Sequence, residues 1–438
     1  MCERGSTVEN QFARQYPIDV VERFAHGGTV SERMVQMSRA VETWQLRAQF
    51  AAALSRMYGA EVPAYTTLVD VSSEVNREVG GSQRVTAERH GAIRVGSPRE
   101  LADVADLFAA FGMHPVGFYD LREATPPVPV VSTAFRPIDA DQLERNPFRV
   151  FTSMLATADT RFFSAELRGR VERFLSERQL FDPALIAEAR TIAAAGGAEP
   201  DHAETFVEAA VAAFALSREP IDRRWYDELT AVSAVAADIA GVTTTHINHL
   251  TPRVLDIDEL YRRMTARGIT MTDAIQGPPR RHGPDVLLRQ TSFRALAEPR
   301  RFRDADGNVV EGTLRVRFGE VESRGVALTP EGRRRFDAAM ATPDPATAWA
   351  DYFPACHEHM ASAGLAYYHG GDPSKPVVYE DFLPASAAGI FRSNLDTDAQ
   401  KAAGEEDLGW DYTADWMAGQ TGHLIHDPYE LYEKVAAS

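Results

Sequence analysis

Two histidines lie three residues apart in the stretch TTTHINHLTPR (243–253), a spacing at which metal-binding pairs often occur. On a helix, His246 and His249 would share one face and could bind one ion together. The three consecutive threonines instead favour a strand, because β-branched side chains pack well there. Successive side chains of a strand point to opposite faces, so only one of this pair can face a given site. The residues alone predict one ligand here and leave open which histidine it is.

The other ligands of such a site have to come from elsewhere in the chain. His90 stands beside a glycine in RHGAIR, and Arg94 shares its face if that run is extended. Glu320 follows a glycine in RFGEVESRG, and Glu322 is a rival on the same face. Two histidines and one carboxylate form the facial triad that leaves positions open on Fe(II). An arginine beside that triad suits a carboxylate substrate, because its planar fork can hold both oxygens.

Other clusters of metal-type side chains carry weaker signals. CHEH (356–359) and HLIH (423–426) both contain metal-type residues. Cys356 with its two nearby histidines could bind zinc, but partners at the spacing of a zinc finger are absent, so a surface position is the preferred interpretation of that cluster. The sequence contains no Walker-type phosphate loop, no G-x-G-x-x-G fingerprint and no G-x-S-x-G elbow.

The composition limits the partners and the compartment. The chain has 438 residues and a formal charge of −17, and a nucleic acid would be repelled by such an acidic protein. Cys2 and Cys356 are the only cysteines, which fits a reducing compartment and no disulfide framework. The N-terminus lacks the apolar region of a signal peptide, and the most apolar helical run (207–216) is too short to span a bilayer. We therefore expect a cytoplasmic protein without a membrane partner.

Periodicity predicts an α+β fold, in which a β core carries helices on its outside. Helices are expected over 31–57 and 98–112, and a continuous helical block over 160–240. Short strands are expected at AIRV (92–95), TTTHINHL (243–250), 285–293 and 312–328. The predicted organisation comprises an N-terminal arm (1–30), a first part of the core (31–155), a helical subdomain (156–240), a second part of the core (241–395) and a C-terminal segment (396–438).

Seven stretches, taken together and in order, resemble one family, the 2-oxoadipate dioxygenase/decarboxylases of bacterial lysine catabolism, once a domain of unknown function. They are ERHGAIRVG (88–96), STAFRPID (132–139), NPFRVFTS (146–153), HINHLTPRVLDID (246–258), LLRQTSF (287–293), RFGEVESRGVALTP (317–330) and YEDFLPASAAGIF (379–391). The resemblance extends from about residue 45 to about residue 395. It implies a core similar to the vicinal-oxygen-chelate fold, a β-sheet or partial barrel with an inserted helical block and flanking helices.

The resemblance also implies roles for individual residues. The metal ligands would be His90, His249 and Glu320, with His246 as the second choice for the middle position. His90 and Arg94 would contact the substrate, and Arg94 would hold its carboxylate. Ala385, at the end of the YEDFLP motif, would contact the substrate at a position where relatives carry valine. Besides Ala385, Val131 departs from the family pattern, because relatives have a histidine at this position. The region after Leu395 does not resemble the family closely.

The implied activity is an Fe(II)-dependent dioxygenase that decarboxylates and hydroxylates a 2-oxo acid, converting 2-oxoadipate into 2-hydroxyglutarate with release of CO₂. The expected partners are the small 2-oxo acid and O₂, and the sequence sets no oligomeric state. Three alternatives stand beside this one. They are the same chemistry on a different 2-oxo acid in a biosynthetic pathway, a metal-dependent hydrolase or isomerase on the same core, and a non-catalytic binding protein.

Overall fold

The computed structural model describes residues 40–124, 127–280, 283–315, 317–383 and 411–438. Its strands, in chain order, are β1 (Val41–Glu42), β2 (Arg89–Val95), β3 (His114–Asp120), β4 (Val130–Arg136), β5 (Arg149–Leu155), β6 (Gly197–Ala198), β7 (Ile221–Asp222), β8 (His249–Pro252), β9 (Leu288–Ser292), β10 (Glu298–Arg303), β11 (Val309–Leu314) and β12 (Glu320–Arg324). The predicted N-terminal arm (1–30) lies outside the described residues.

Helices surround these strands on several sides. They are α1 (Thr43–Glu61), α2 (Pro63–Glu78), α3 (Gln83–Ala87), α4 (Pro98–Ala109), α5 (Ala140–Arg145), α6 (Ala165–Glu177), α7 (Pro183–Ala195), α8 (Pro200–Ala212), α9 (Arg223–Thr230), α10 (Ala234–Ala240), α11 (Ile257–Ala266), α12 (Pro330–Met340), α13 (Pro345–Tyr352), α14 (His357–Ser362), α15 (Ala414–Thr421) and α16 (Pro428–Ala437). The mixture of helix and sheet confirms the predicted α+β class. No helix in the described ranges is both long enough and apolar enough to cross a bilayer.

The central sheet has five strands in the order β3-β4-β5-β2-β8. β2 lies near one edge, parallel to β5 and antiparallel to β8. Gly91 in β2 allows this close packing, because a Cβ there would come within 2.8 Å of the Ile247 side chain. A separate antiparallel pair, β9 and β12, adjoins β8 through a bridge between Arg253 and Glu322. β2, β8 and β12 therefore meet in one region of the core.

The predicted helical block over 160–240 is present as α6 to α10. Two very short strands attach this block to the rest of the chain, since β6 pairs with β1 and β7 pairs with β10. Buried side chains of the block also belong to the same apolar cluster as the central sheet. The boundaries predicted for separate domains stay a prediction.

One predicted helix is present close to its expected bounds, and another begins later than expected within the described residues. The helix expected over 98–112 is α4, which Ser97 caps through the Glu100 amide and which ends before Gly112, where φ is +63°. Of the helix expected over 31–57, residues 31–39 lie outside the described residues, and the prediction is wrong for residues 40–42, because α1 begins only at Thr43. A reciprocal capping box between Glu42 and Gln45 fixes that start.

Two strand predictions are wrong in their extent. Residues 243–248 belong to no strand, and β8 begins only at His249. The Asn248 amide already donates to the Ala92 carbonyl of β2, but the Ile247 amide donates to the Phe214 carbonyl, outside the sheet. The single strand expected over 312–328 is divided into the end of β11 and β12. Gly319, between them, lies so close to the Phe293 ring that a Cβ would overlap it at 2.0 Å.

Candidate metal centre

The register between β2 and β8 brings two histidines together. Ala92 pairs with His249 and His90 with Thr251, so His90 and His249 are diagonal neighbours on one face of the sheet. Their rings are nearly perpendicular, with centroids 5.7 Å apart. His249 is the first residue of β8, directly after the irregular segment that contains His246.

Glu320 completes a buried group with these two histidines. Its Oε1 lies 3.7 Å from His90 Nε2, and its Oε2 lies 3.6 Å from His249 Nε2. One ligand atom from each residue falls within 4.8 Å of the others, and all three side chains are buried. Among the described residues this is the one such group of three or more histidine, cysteine, aspartate or glutamate side chains.

The chemistry of this donor set fits a divalent metal. Burial lowers the pKa of His90, and burial, with the neighbouring His90 and Arg94, lowers the pKa of His249 further, which favours the neutral form of each imidazole. Burial and the nearby Glu322 charge raise the pKa of Glu320 well above its usual range. His90 Nε2 is buried and has no hydrogen-bond partner among the described residues. A cation would satisfy that nitrogen and stabilise the ionised carboxylate.

Each histidine is oriented through its other nitrogen. His90 Nδ1 lies 3.1 Å from Glu322 Oε1, and His249 Nδ1 lies 3.1 Å from Thr251 Oγ1. Partners of this kind fix the ring orientation and leave Nε2 facing a metal. Both Nε2 atoms accordingly face Glu320.

Glu322, the rival carboxylate from the sequence, is occupied elsewhere. Arg324 donates to both of its oxygens at 2.6 and 3.0 Å, and Arg149 lies 3.4 Å away. Burial would raise the pKa of Glu322, but the charge of Arg324, the contact with His90 and the charge of Arg149 hold it well below its usual range. Glu322 thus lies on the Nδ1 side of the His90 ring, and Glu320 lies on the Nε2 side.

Aromatic side chains form the walls of the site. The Phe382 ring lies edge-on to His90 with centroids 5.0 Å apart, and Phe151 packs behind Phe382 at the same distance. Phe318 stacks on His249 at 5.1 Å. These rings limit the access of water to the three ligand side chains.

Arg94 lies on the His90 face of β2, and its guanidinium is paired with Asp238 of α10. Asn248 Nδ2 donates to the same Asp238 oxygen at 2.9 Å, and His246 Nε2 lies 3.5 Å from the other oxygen. His246 is therefore directed at Asp238, away from the three-residue group. The sequence analysis missed Asp238, because an aspartate inside AVAADIA carries no motif.

The remaining candidates lie elsewhere. Ala385 lies outside the described residues. Val131 pairs with Met154 in the sheet and alternates with Ser132, whose partner Ser153 is the neighbour of Arg94. Val131 therefore faces the side of the sheet opposite to the metal centre.

The two other metal-type clusters do not form ligand groups in the described chain. In CHEH, His357 bonds to the Tyr368 hydroxyl at 3.0 Å. In HLIH, His423 bonds to Asp106 at 3.1 Å.

Comparison with known proteins gives the family of this chain. A model of the 2-oxoadipate dioxygenase/decarboxylase family matches residues 50–394. The chain belongs to this family. The 2-oxoadipate dioxygenase/decarboxylase of Mycobacterium tuberculosis is 69% identical over 409 residues, which cover 91% of this chain and 98% of the relative.

Two solved structures extend the comparison to the fold. The hydroxyglutarate synthase of Pseudomonas putida, crystallised with 2-oxoadipate, superimposes with a TM-score of 0.76 at 35% identity, covering 91% of this chain and 97% of that chain. A glyoxalase-superfamily protein from Ralstonia eutropha has a TM-score of 0.53 at 20% identity, covering 66% of this chain and 86% of its own. The second likeness shows the fold alone and confirms the predicted vicinal-oxygen-chelate-like core.

Proposed function

We propose that this chain is an Fe(II)-dependent dioxygenase that decarboxylates and hydroxylates 2-oxoadipate. The observation that carries the proposal is the buried group of His90, His249 and Glu320 in a member of this family. The name of the mycobacterial relative and the 2-oxoadipate bound to the Pseudomonas putida enzyme support this substrate. The reaction balances as 2-oxoadipate plus O₂ giving 2-hydroxyglutarate plus CO₂, so it requires no separate 2-oxo acid as co-substrate.

The proposed metal ligands are His90 Nε2, His249 Nε2 and the carboxylate of Glu320. Iron(II) held by two histidines and one carboxylate supplies redox chemistry and open positions at which a 2-oxo acid and O₂ can meet. The side chains around it contribute orientation, since Glu322 and Thr251 hold the two imidazoles. Phe318 and Phe382 shield the ligands from bulk water.

Arg94 is the proposed partner of the distal carboxylate of the substrate. Support comes from its position on the His90 face of β2, from its burial, and from its electrostatic effect on His249. Binding one end of the substrate to arginine and the other end near the ligands would fix the direction of the carbon chain. Ala385 is proposed as a further substrate contact on the family resemblance.

The test is oxygen consumption by protein loaded anaerobically with Fe(II) and then mixed with 2-oxoadipate and O₂. Uptake of O₂, release of CO₂ and formation of 2-hydroxyglutarate in equal amounts are expected. Protein loaded with Zn(II) serves as the control and should show no turnover, because zinc has no redox chemistry. Absence of O₂ uptake with 2-oxoadipate would contradict the proposal.

The same assay distinguishes the alternatives. Faster O₂ uptake with an aromatic or branched 2-oxo acid would identify a different substrate, and turnover without O₂ would indicate a hydrolase or isomerase. A protein that retains no metal after anaerobic purification would favour a binding role. The two-cysteine composition, together with a small-molecule substrate, supports the proposal that the enzyme acts in the cytoplasm.

A further inference from the structure

One wall of the candidate metal centre is the segment of residues 379–383. Phe382 packs on His90 on one side of this wall. The same residue lines a cavity of about 430 Å³ on the other side, together with Tyr119, Tyr379, Arg333, Tyr429 and Tyr432. The wall is thus a single segment thick at this point. Hydrogen bonds to both sides of this segment therefore add to packing in fixing its position.

Buried arginines of the core hold the inner side of this wall. Arg136 donates to both oxygens of Asp381 at 2.8 and 3.1 Å. Arg149 pairs with Glu380 and also lies 3.4 Å from Glu322. Arg324, which holds Glu322, donates as well to the backbone carbonyl of Tyr379 at 2.6 Å. Arg149 and Arg324 therefore contact both the wall and Glu322, the carboxylate next to His90 Nδ1.

The C-terminal helix α16 holds the outer side of the wall through Tyr432. The Tyr432 hydroxyl accepts a hydrogen bond from the Glu380 amide at 2.8 Å and donates one to Asp381 Oδ2 at 2.5 Å. Its ring stacks on Tyr367 and Tyr379, with centroids 5.7 and 6.2 Å away. Tyr432 is buried, although it lies in a helix beyond the 50–394 range of the family model.

The chain just before α16 is itself attached to the edge of the central sheet. The His426 amide donates to the Pro115 carbonyl, and the His426 carbonyl accepts from the Gly117 amide, both at 2.9 Å. β3, which contains Pro115 and Gly117, is the edge strand of the sheet farthest from β8. Tyr432 consequently connects a fixed part of the fold to the wall.

We propose that Tyr432 is a positioning residue of the metal centre, acting on Phe382 and His90 through Glu380 and Asp381. A path of polar contacts leads from its hydroxyl to the Glu380 amide, from the Glu380 carboxylate to Arg149, from Arg149 to Glu322, and from Glu322 Oε1 to His90 Nδ1 at 3.1 Å. The C-terminal helix is then part of the active site, although it is not among the segments that resemble the family. The effect of Tyr432 on catalysis rests on the proposed function, whereas its effect on the position of residues 379–383 does not.

The direct test is amide hydrogen exchange of the peptide that covers 376–383, comparing Tyr432→Phe with the unaltered protein. Removing the hydroxyl deprives the Glu380 amide of its acceptor, so its exchange should become about tenfold faster, the factor that loss of one hydrogen bond produces. Tyr367→Phe is the matched control. The Tyr367 ring stacks on Tyr432, and its buried hydroxyl has no hydrogen-bond partner among the described residues. Unchanged exchange in Tyr432→Phe, or equal acceleration in both variants, would overturn the proposal.

The second readout is the kinetics of the Fe(II)-loaded variants. Tyr432→Phe should raise KM for 2-oxoadipate about tenfold relative to Tyr367→Phe, with a smaller effect on kcat, when both variants are assayed at a temperature at which they are fully folded. Equal KM values in the two variants would contradict the positioning role. If the unaltered protein does not turn over 2-oxoadipate, the proposed function fails, and the exchange measurement still decides the role of Tyr432.

Discussion

His90 Nδ1 lies 3.1 Å from Glu322 Oε1, on the side of the imidazole opposite to the Nε2 that faces Glu320. Two carboxylates from one short strand thus contact the same histidine from two directions. Arg324 holds Glu322 through both oxygens, and no cation forms a comparable pair with Glu320 in the described part of the chain. Because their partners differ, we assign the two carboxylates different roles: Glu320 is the proposed metal ligand, and Glu322 orients the His90 imidazole.

Glu322→Gln should therefore weaken metal binding without abolishing it. The amide keeps the shape of the side chain but loses the charge that orients His90, and such changes typically reduce metal affinity about 10- to 100-fold. Competition with a chromogenic chelator measures the affinity. Glu331→Gln, which alters a surface glutamate paired with Arg334 and Arg335, is the control. Equal affinity in the two variants would remove the role assigned to Glu322.

The two histidines of the opening stretch can be distinguished by the same titration. His249→Ala should lose metal binding and turnover together, because it removes one of three ligands. His246→Ala should retain metal, because His246 Nε2 is directed at Asp238 and Asn248. Glu320→Ala should behave like His249→Ala. Full metal content and full turnover in His249→Ala or Glu320→Ala would contradict the proposed site.

The proposed ligands and Arg94 could be predicted from the sequence, because each of them lies in a short, recognisable stretch of the chain. His90, Arg94, His249 and Glu320 lie in short motifs with glycine or β-branched neighbours, and these motifs carried both the family resemblance and the strand pattern. The choice of His249 over His246 came from the family resemblance, because strand alternation left it open. In the folded chain residues 243–248 belong to no strand, His246 is directed at Asp238, and His249, the first residue of β8, faces Glu320.

The residues that support the ligands could not be predicted in this way. Asp238 pairs with Arg94 from a position 144 residues away, and Tyr432 bonds to Asp381 from 51 residues away. Contacts at such separations leave no periodicity or spacing in a single sequence. Glu322 was recognised as a candidate, but its role depends on Arg324 and Arg149, whose directions become visible only in the folded chain.

Arg94→Ala should keep the metal and lose substrate affinity. The three ligand side chains do not involve Arg94, whereas the distal carboxylate of 2-oxoadipate would lose a charge-assisted bidentate partner. Apparent KM for 2-oxoadipate should rise at least tenfold, and bound metal per chain should stay the same. An unchanged apparent affinity would remove the role proposed for Arg94.

Asp238→Asn should destabilise the protein, because it removes the carboxylate charge that pairs with the buried Arg94 guanidinium. Removing one partner of a buried ion pair typically costs about 3–5 kcal/mol of unfolding free energy. Urea unfolding of the metal-free protein measures this loss. The double variant Arg94→Ala/Asp238→Asn should recover part of it, since both charges are then absent. Strict additivity of the two single changes would indicate that the pair does not interact.

Tyr58 connects the two segments that lead into the ligands, and its hydroxyl gives the last prediction. It lies 3.0 Å from the Asn248 carbonyl and 2.7 Å from the Phe318 carbonyl, so a residue of α1 holds the chain just before His249 and Glu320. Tyr58→Phe should lower the unfolding free energy by about 1–3 kcal/mol, because a buried hydrogen bond is lost and acceptors stay buried. It should also weaken metal binding, because both ligand segments lose a shared anchor. Tyr65→Phe is the matched control, since its hydroxyl bonds to Ser55 and so joins α2 to α1 away from the ligand segments, and its ring packs on Tyr58 at 5.1 Å. Metal affinity that falls equally in both variants would show that the effect comes from helix packing and not from the Tyr58 hydroxyl.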